Sequence, residues 1–516
     1  MTSADAGPPT TVRALIERQA AQRPDAIYAV ATDNESHVTF ADLARACRSV
    51  GALLRKHGVG PGETVSLVLP NGLQTVRLLL GGMHAGCCVN PVNLLSQPEQ
   101  MHYVLEHSDC KLVFCAPEWV ERVRALLARI ERPVRLIVVD PDGAAIEGER
   151  EADGDAPLAA RPEPGSLALL MYTSGTTGKP KGVMLTQANL CANARAISAE
   201  HRLGRGDRVA AVLPLYHINA FGVTLLAPIA HAGALVMPAK FSAAGFWPMV
   251  TRHGCTWINV VPTIISYLIE GAADQPVPRE EIAKVRFCRS ASAALPPEHH
   301  RAFEEKFGIG IIETMGLTET VAPAFSNPID PAARKIGSVG RASGCEARIV
   351  DEAGRPVADG VTGEITIRGP QVTPGYYKNP EATAAAFFPD GWLRTGDLGR
   401  RDADGFFYVT GRIKELIIKG GENIAPREID EALLAHPAVL DAAAVGIPDR
   451  HYGQEIMACV VLREGERCSE EELRSFCGEH LGRYKTPKVF RFVSDLPRGP
   501  SGKVQRLKLL DLATSA

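Results

Sequence analysis

The spacing of apolar residues predicts that helices and strands alternate along the chain. Residues 11–22 have apolar positions at helical spacing and end before Pro24, which predicts a first helix. The run Val65–Leu69 predicts a buried strand, and the run Leu167–Tyr172 is followed by a helical pattern over residues 187–199. Strands that alternate with helices are typical of a sheet covered by helices, so this part is predicted to be a large α/β domain.

The character of the chain changes after this part. Residues 345–411 contain short strands separated by turns, which predicts a small β-barrel-like subdomain. Further on, Ser469 and Glu472 form a capping box at the start of a helix over residues 470–481. The other predicted elements are a helix over 426–435 and strands at 439–446, 456–462 and 488–493. The predicted fold is a large α/β N-terminal domain of stacked subdomains, followed by a small α+β C-terminal domain of about a hundred residues.

Two segments need a separate interpretation. Residues 209–238 carry no formal charge over a membrane-spanning length, but their prolines, histidines and asparagine do not suit a lipid-facing helix. We therefore expect buried strands and a helix around a pocket, and no membrane span.

Residues 141–165 are acidic and rich in Gly, Ala and Pro, which predicts a solvent-exposed connection.

The composition excludes some classes of function. A net charge of -3 gives no electrostatic reason to expect a nucleic-acid partner. The twelve cysteines form no C-x-x-C pair, which argues against a zinc site and fits a reducing, cytoplasmic location. The first residues show no basic segment followed by an apolar one, so no secretory signal is predicted.

The stretch YTSGTTGKPKGVML, residues 172–185, is rich in glycine, hydroxyl groups and lysine. Such a loop can bind a polyphosphate through its backbone N–H groups, its hydroxyls and its charge. It is not a Walker loop, because Pro180 follows Lys179 at the point where that motif begins its helix. Since Val183–Leu185 predict another strand, the arrangement is strand, loop, strand.

Together with motifs further along the chain, this loop resembles the phosphate loop of the adenylate-forming superfamily of acyl-CoA synthetases, luciferases and peptide-synthetase adenylation domains. The resemblance implies a large domain over residues 1–411 and a small mobile domain over residues 412–516. It also implies ATP, Mg2+ and CoA as ligands, with a small-molecule carboxylic acid as the substrate. The loop residues implied to bind ATP are Thr173, Ser174, Gly175, Thr176, Thr177, Gly178, Lys179 and Lys181.

The segment ETMGLTET, residues 313–320, resembles the adenine and magnesium motif of that superfamily. By this resemblance Glu319 is a catalytic residue that holds Mg2+, a hard cation that prefers oxygen ligands, and Thr318 contacts the α-phosphate. Met315 departs from the family, which usually has a tyrosine packed on the adenine; a thioether can also pack against an aromatic ring. The other residues implied to bind the nucleotide are Glu313, Thr314 and Gly316.

Later motifs extend the resemblance into the small domain. Asp397 matches the carboxylate that accepts both ribose hydroxyls, and Arg412 is implied to approach the ribose and phosphate from the other side. Lys414 matches the hinge between the domains. Gly420 and Gly421 match the loop that lines the tunnel for the pantetheine of CoA.

Lys503, in PSGKVQR, matches the catalytic lysine of the mobile domain. A carboxylate that attacks an α-phosphate brings two negative groups together, and a positioned ammonium group offsets that charge in the transition state. Gly499 and Pro500 differ from the threonine and small residue that relatives often have there.

The segment LPLYHINAF, residues 213–221, resembles the acyl-pocket segment of the superfamily. His217 stands where amino-acid-activating relatives have an aspartate; it is either a catalytic residue that gates the path to the thiol or a hydrogen-bonded core histidine. RSASAAL resembles a pocket wall after an expected strand Val285–Cys288. Arg289, the first residue of RSASAAL, either binds a second anionic group of the substrate acid or pairs with a structural carboxylate. The other implied pocket residues are Asn219, Ser290 and Ala291.

The resemblance implies an AMP-forming acid–CoA ligase that works through an acyl-adenylate. RSASAAL and GRIKELIIKGGENIAPREID are most similar to the oxalate–CoA ligase branch, which implies a very small dianionic acid such as sulfoacetate, malonate or oxalate. ETMGLTET departs from the usual motif of that branch. This departure favours malonate or sulfoacetate over oxalate as the substrate. The alternatives are a medium-chain fatty or aryl acid–CoA ligase, an amino-acid-activating domain, a luciferase-like oxygenase and a non-catalytic nucleotide-binding relative.

Overall fold

A computed structural model describes the protein over residues 7–146, 148–149, 160–173, 179–271, 277–498 and 504–513. The strands up to residue 342 are β1 (Ile27–Ala31), β2 (His37–Thr39), β3 (Thr64–Val68), β4 (Cys88–Pro91), β5 (Leu112–Cys115), β6 (Arg135–Val138), β7 (Leu167–Thr173), β8 (Lys181–Thr186), β9 (Arg208–Ala211), β10 (Ala234–Met237), β11 (Trp257–Val260), β12 (Phe287–Ser290), β13 (Ile311–Leu317), β14 (Ala322–Ser326) and β15 (Arg341–Ala342). The later strands are β16 (Glu346–Val350), β17 (Gly363–Arg368), β18 (Gly375–Tyr376), β19 (Leu393–Arg401), β20 (Phe407–Arg412), β21 (Ile417–Lys419), β22 (Glu422–Ile424), β23 (Val439–Asp449), β24 (Gly453–Leu462) and β25 (Val489–Phe492). The α-helices are α1 (Val12–Gln22), α2 (Phe40–Lys56), α3 (Leu73–His84), α4 (Pro98–His107), α5 (Val120–Leu127), α6 (Gln187–Glu200), α7 (Ala227–His231), α8 (Ala243–Arg252), α9 (Pro262–Gly271), α10 (Pro297–Phe307), α11 (Pro380–Ala385), α12 (Pro426–Leu434), α13 (Glu470–Lys485) and α14 (Leu509–Ala513).

Two large sheets form the centre of the N-terminal part. Within the described ranges, one has nine strands in the order β15-β14-β13-β12-β11-β9-β10-β1-β2, and the other has seven in the order β18-β8-β7-β4-β3-β5-β6. The strands from β13 to β10 in the first sheet are paired in parallel, as are β4, β3 and β5 in the second. Parallel sheets are covered by helices on both faces, which explains why these strands are short, almost continuous apolar runs.

The helices that cover these sheets pack closely on one another. At Gly81 in α3, an added Cβ would lie 2.6 Å from the Cβ of Val50 in α2, so the two helices can approach this closely only at a glycine. The helix α2 begins with a capping box in which Thr39 and Asp42 each accept a backbone N–H of the other. One continuous apolar core includes residues of these helices and of both large sheets.

The small β subdomain is an open antiparallel sheet. Its strands pair in the order β16-β17-β19-β20 and, within the described residues, do not close into a barrel. Ile349, Ile365 and Ile367 on one face are buried together with Phe325 of β14, which attaches this sheet to the edge of the nine-stranded sheet. The predicted large α/β part with stacked subdomains is confirmed.

The described C-terminal part contains a separate five-stranded sheet, in the order β22-β21-β24-β23 with β25 beside β24. Alternate residues of β23 face opposite ways, as the period of a strand requires. Ala442 and Ala444 join the apolar core beneath α12 and α13, whereas Ala443 and Val445 join a second core on the other face. This confirms the small α+β unit, while the boundary expected between residues 411 and 412 stays a prediction.

Most of the other expected elements are present. The helices α1 and α6, the strand β7 and the capping box of Ser469 and Glu472 lie where the sequence predicts them. Residues 209–238 form β9, a π-helix, α7 and β10, and no helix in the described ranges is long and apolar enough to cross a membrane. The expected connection is exposed at residues 144–145 and 163–165, but Ile146 is buried and the Nη2 of Arg77 lies 2.6 Å from the Oε1 of Glu149.

A buried ionic network joins the last described segment to the rest of the C-terminal part. Asp430 in α12 accepts a hydrogen bond from the Ala444 N–H at 2.7 Å and pairs with Arg506. Arg506 also donates to the Ala444 carbonyl at 2.9 Å, and its Nε lies 3.3 Å from the Oε2 of Glu415. Because the opposite charges lie together, the network can be buried without an uncompensated charge.

Replacing Asp430 with Ala should destabilise the C-terminal part, because Arg506 would lose its main buried carboxylate. We expect the free energy of opening to fall by roughly 3 kcal/mol, the lower end of the cost of breaking a buried pair, since Glu415 stays in place. Hydrogen exchange in β23 and β24 measures this quantity. The exposed Glu466→Ala serves as the control and should change it by less than about 0.5 kcal/mol. A loss below about 1 kcal/mol in Asp430→Ala would contradict the stabilising role.

Candidate active site

The carboxyl ends of neighbouring parallel strands meet at one edge of the nine-stranded sheet. Asn259 of β11 stands opposite Arg289 of β12, and Ser290 of β12 stands opposite Glu313 of β13. In open α/β sheets, ligands bind in the crevice outside this edge. Residues from separate sequence motifs are thereby brought next to one another.

The segment ETMGLTET forms the end of β13 and a tight turn. A 3-10 turn over Thr318–Thr320 joins β13 to the antiparallel strand β14, and the buried hydroxyl of Thr320 donates to the Ala322 carbonyl at 2.7 Å. An added Cβ at Gly316 would lie 1.8 Å from the Ala322 carbonyl oxygen, so the two strands can approach this closely only at a glycine. The turn therefore holds Glu319 in a defined position.

Glu319 is linked to the strand that follows the predicted phosphate loop. The hydroxyl of Tyr376 donates to the Oε1 of Glu319 at 2.8 Å, and Tyr376 lies in β18, which pairs with β8. The Nζ of Lys181, in β8, lies 4.8 Å from the centre of the Tyr376 ring, a cation–π distance. Burial and then the nearby Glu319 raise the pKa of the Tyr376 hydroxyl, so it stays a hydrogen-bond donor. The structure thus joins two predicted site residues through Tyr376, which no motif in the sequence marked.

The described residues include only the two ends of the predicted phosphate loop. Thr173 at the end of β7 pairs with Lys181 at the start of β8, which confirms the strand, loop, strand arrangement. The Nζ of Lys179 lies 5.3 Å from the centre of the Tyr103 ring. The predicted site residues that lie outside the described residues are Ser174, Gly175, Thr176, Thr177, Gly178 and Lys503.

Asp397 and Arg412 form an ion pair across the small β subdomain. They face each other on β19 and β20, with the Arg412 Nε 2.8 Å from the Asp397 Oδ1. The charge of Asp397 raises the pKa of Arg412 against the effect of burial, and Glu415 and Glu319 act in the same direction. Met315 of β13 and Val409 of β20 pack against the same apolar core. The pair and the turn that carries Glu319 therefore belong to one region.

The predicted hinge and glycine loop follow this pair along the chain. Lys414 lies in a 3-10 turn between β20 and β21. Gly420 and Gly421 connect β21 to β22 with φ values of 56° and 87°, which favour glycine. Just before them, the buried Lys419 has its Nζ 2.9 Å from the Oε1 of Glu455, also buried. This pair, which the sequence analysis missed, fixes the start of the glycine loop.

The predicted acyl-pocket segment follows β9 and runs into the π-helix. His217 is half-buried; its backbone N–H donates to the Pro214 carbonyl at 3.0 Å, and its ring centre lies 4.8 Å from that of Tyr216. Two residues later, the buried Asn219 donates from Nδ2 to the Oγ of Ser292 at 3.3 Å. The segment therefore contacts RSASAAL, while the pocket role of both segments stays a prediction.

Arg289 is fully buried on the strand β12. This strand covers Phe287–Ser290 and not the expected Val285–Cys288, so the expected strand is wrong by two residues. The Nη1 of Arg289 donates to the Oδ1 of Asn219 at 2.8 Å and to the Oδ1 of Asn259 at 2.6 Å. Both acceptors are amides, not the structural carboxylate that was the alternative. Burial lowers the pKa of Arg289 to about 9, so the guanidinium still carries its charge at neutral pH.

The remaining predicted residues lie beside these groups. The Thr314 hydroxyl donates to the Ser290 carbonyl at 3.3 Å, and the Ala291 N–H donates to the Val260 carbonyl at 3.4 Å. Met315 packs against the core of the small β subdomain. Asn259 was missed by the sequence analysis; its signal is a polar residue inside an otherwise apolar strand, because such a buried group needs a partner.

The buried carboxyl group of Glu313 predicts that stability depends on pH in the ligand-free protein. Burial raises its pKa from an ordinary 4.5 to about 7, with Arg427 opposing this in part. Between pH 4.5 and about pH 7, the carboxyl group of Glu313 is ionised in the unfolded state but protonated in the folded state. The stabilising contribution of this group is therefore complete below pH 4.5 and is lost as the pH rises through about 7. The loss amounts to about 3 kcal/mol.

Replacing Glu313 with Gln should therefore remove this part of the pH dependence. The measurement is the free energy of unfolding in urea between about pH 5 and pH 8. The exposed Glu479→Gln is the control and should retain the wild-type dependence. Identical pH dependence in wild type and Glu313→Gln would contradict the shifted pKa.

Comparison with known proteins agrees with these motifs along the chain. The family model for AMP-binding enzymes matches residues 16–377, and that for the AMP-binding enzyme C-terminal domain matches residues 428–503. A sulfoacetate–CoA ligase from Cupriavidus necator is 58% identical over 503 residues, 98% of this chain and 98% of the relative. An oxalate–CoA ligase from Arabidopsis thaliana is 37% identical over 96% of this chain and 97% of the relative.

The fold agrees as well. The crystal structure of ATP-bound MatB from Rhodopseudomonas palustris superposes with a TM-score of 0.90 at 29% identity, covering 98% of this chain and 99% of that one. The N-terminal match alone covers more than half of the chain, and it includes the phosphate-loop and ETMGLTET segments. The chain therefore belongs to the family of AMP-binding enzymes, within the adenylate-forming superfamily that its motifs resemble.

Proposed function

We propose that this protein is an AMP-forming acid–CoA ligase that activates a very small dianionic acid, with sulfoacetate as the leading candidate. The observation that carries the proposal is the 58% identity to the sulfoacetate–CoA ligase over 98% of both chains. Similarity of this extent covers the nucleotide motif, the acyl segment and the small domain together. The oxalate–CoA ligase relative is named for another very small dianion.

The proposed reaction has two steps. The carboxylate attacks the α-phosphate of ATP, which forms an acyl-adenylate and releases pyrophosphate. The thiolate of CoA then attacks the acyl carbon, which forms the thioester and releases AMP. The first step is needed because an oxide cannot leave a carboxylate unaided, whereas AMP is a good leaving group.

The geometry of the described residues supports the proposed nucleotide roles. Glu319 fits a magnesium ligand, because Mg2+ takes one or two carboxylates together with phosphate oxygens, and Tyr376 orients this carboxylate. Bound Mg2+ would offset the negative charge of the phosphates. Asp397 is proposed to accept the ribose hydroxyls, with Arg412 approaching the phosphate beside it. The other proposed nucleotide contacts are Thr173, Ser174, Gly175, Thr176, Thr177, Gly178, Lys179, Lys181, Glu313, Thr314, Met315, Gly316 and Thr318.

The proposed roles in the small domain concern the change between the two steps. Lys503 is proposed to offset the charge that develops at the α-phosphate. Lys414 is the proposed hinge, and rotation about it would exchange Lys503 for the loop of Gly420 and Gly421, which would line the path of CoA. His217 is proposed to lie between the acyl pocket and that path.

Other functions receive less support. An amino-acid-activating domain needs a carboxylate for the substrate ammonium, and His217 stands at that place. A medium-chain fatty or aryl acid remains the alternative substrate, since the family includes such ligases. A cytoplasmic location stays a prediction from the cysteine usage.

A panel of acids tests the proposed substrate class. We expect sulfoacetate to give the highest kcat/KM in ATP–pyrophosphate exchange, followed by malonate and oxalate, with hexanoate and benzoate far lower. The same order should appear when acyl-CoA formation is followed directly. If hexanoate or benzoate exceeds sulfoacetate, the small-dianion proposal is wrong, although the ligase class would stand.

Replacing Lys503 with Ala tests the proposed division of work between the two steps. Adenylate formation should fall by about 100-fold or more, because a charge-stabilising group is lost, whereas pre-formed acyl-adenylate should still react with CoA. The control is Lys508→Ala, which removes an exposed lysine five residues further along and should leave both half-reactions unchanged. Equal losses in both half-reactions of Lys503→Ala would refute the assignment.

A further inference from the structure

Arg289 carries a positive charge that its described partners bind without neutralising. The side chain is fully buried, and its Nη1 is held by the amide oxygens of Asn219 and Asn259. Within the described residues, its Nε and Nη2 have no hydrogen-bond partner. Because a buried charge needs a counter-charge and buried donors need acceptors, the described part of the chain leaves this guanidinium incompletely paired.

The two donors without partners lie on one edge of the guanidinium. Nε and Nη2 form the side of the planar group that binds two oxygens of one anion through parallel N–H···O bonds. A carboxylate and a sulfonate both present such a pair of oxygens. The Nη1 contacts with Asn219 and Asn259 hold the plane of the group and so fix the direction of that edge.

The position of Arg289 matches the crevice at the carboxyl edge of the sheet. It is the penultimate residue of β12, and Asn259 is the penultimate residue of β11. Asn219 comes from the segment after β9 and also binds Ser292, which has a φ of 76°, a strained value for a residue other than glycine. Strain of this kind is typical of ligand-binding sites.

We propose, on the basis of the proposed ligase function, that Arg289 binds the second anionic group of the acid through Nε and Nη2, and that Asn219 and Asn259 set this specificity by holding Arg289 with neutral amides. An aspartate at either place would neutralise the guanidinium within the protein. The neutral amides leave the positive charge of Arg289 to be paired by an anionic group of the substrate. An acid with an uncharged tail would instead bury the guanidinium unpaired, so it is rejected.

The test compares two acids of nearly the same shape. Sulfoacetate has a charged sulfonate, whereas methylsulfonylacetate replaces one sulfonate oxygen by a methyl group and has an uncharged tail. In Arg289→Met, the ratio of kcat/KM for sulfoacetate to that for methylsulfonylacetate should fall roughly 30-fold or more, as expected when one partner of a buried charge pair is lost. Arg289→Lys, which keeps the charge, should keep more of the ratio than Arg289→Met.

Asn219→Asp provides a second variant of nearly unchanged shape. Its oxygens can accept from Arg289, from the Nδ2 of Asn259 and from the hydroxyl of Ser292, so the substitution fits the existing hydrogen bonds. It should lower the ratio by a similar factor through an internal ion pair, while ATP still binds. If Arg289→Met does not fold, Asn219→Asp decides the test.

The control is Arg286→Met, the same change three residues earlier at an exposed position, and it should leave the ratio unchanged. Ratios within about 3-fold of wild type in both Arg289→Met and Asn219→Asp would overturn the inference and leave the ligase function standing. A wild type that prefers hexanoate to sulfoacetate would overturn the proposed substrate class and this inference together.

Discussion

The parallel pairing of β9, β11, β12 and β13 is the constraint on which the rest of the site depends. Backbone hydrogen bonds set the register that puts Asn259 opposite Arg289 and Ser290 opposite Glu313. A slip of one residue would turn each side chain to the other face of the sheet. The predicted acyl segment and the predicted nucleotide motif are thus held at a fixed spacing by the backbone.

The protein buries charge in two different ways. In the C-terminal part, Asp430 and Arg506 neutralise each other and share the backbone of Ala444. At the carboxyl edge of the large sheet, Arg289 is held by amides and Glu313 has a raised pKa. Incomplete pairing of a buried charge lowers stability, which is why Arg289 and Glu313 are candidate functional residues.

Contacts between distant parts of the chain also orient the predicted nucleotide motif. Tyr376 is 57 residues from Glu319 in sequence, yet its hydroxyl binds that carboxylate and its ring lies next to Lys181. Lys181 is held in the strand β8, and Glu319 is held in the turn between β13 and β14. Tyr376 therefore links the carboxylate of Glu319 to Lys181.

The sequence by itself determined the local elements and the order of the motifs. The capping box of Ser469 and Glu472, the helix α1 and the strand, loop, strand arrangement depend on neighbours a few residues apart, and a local pattern encodes them. Motif order likewise predicted the family. Only the tertiary structure decided that Tyr376 binds Glu319 and that amides, not a carboxylate, hold Arg289. These contacts depend on strand order and register, which arise from hydrogen bonds between residues far apart in sequence, so no local pattern specifies them.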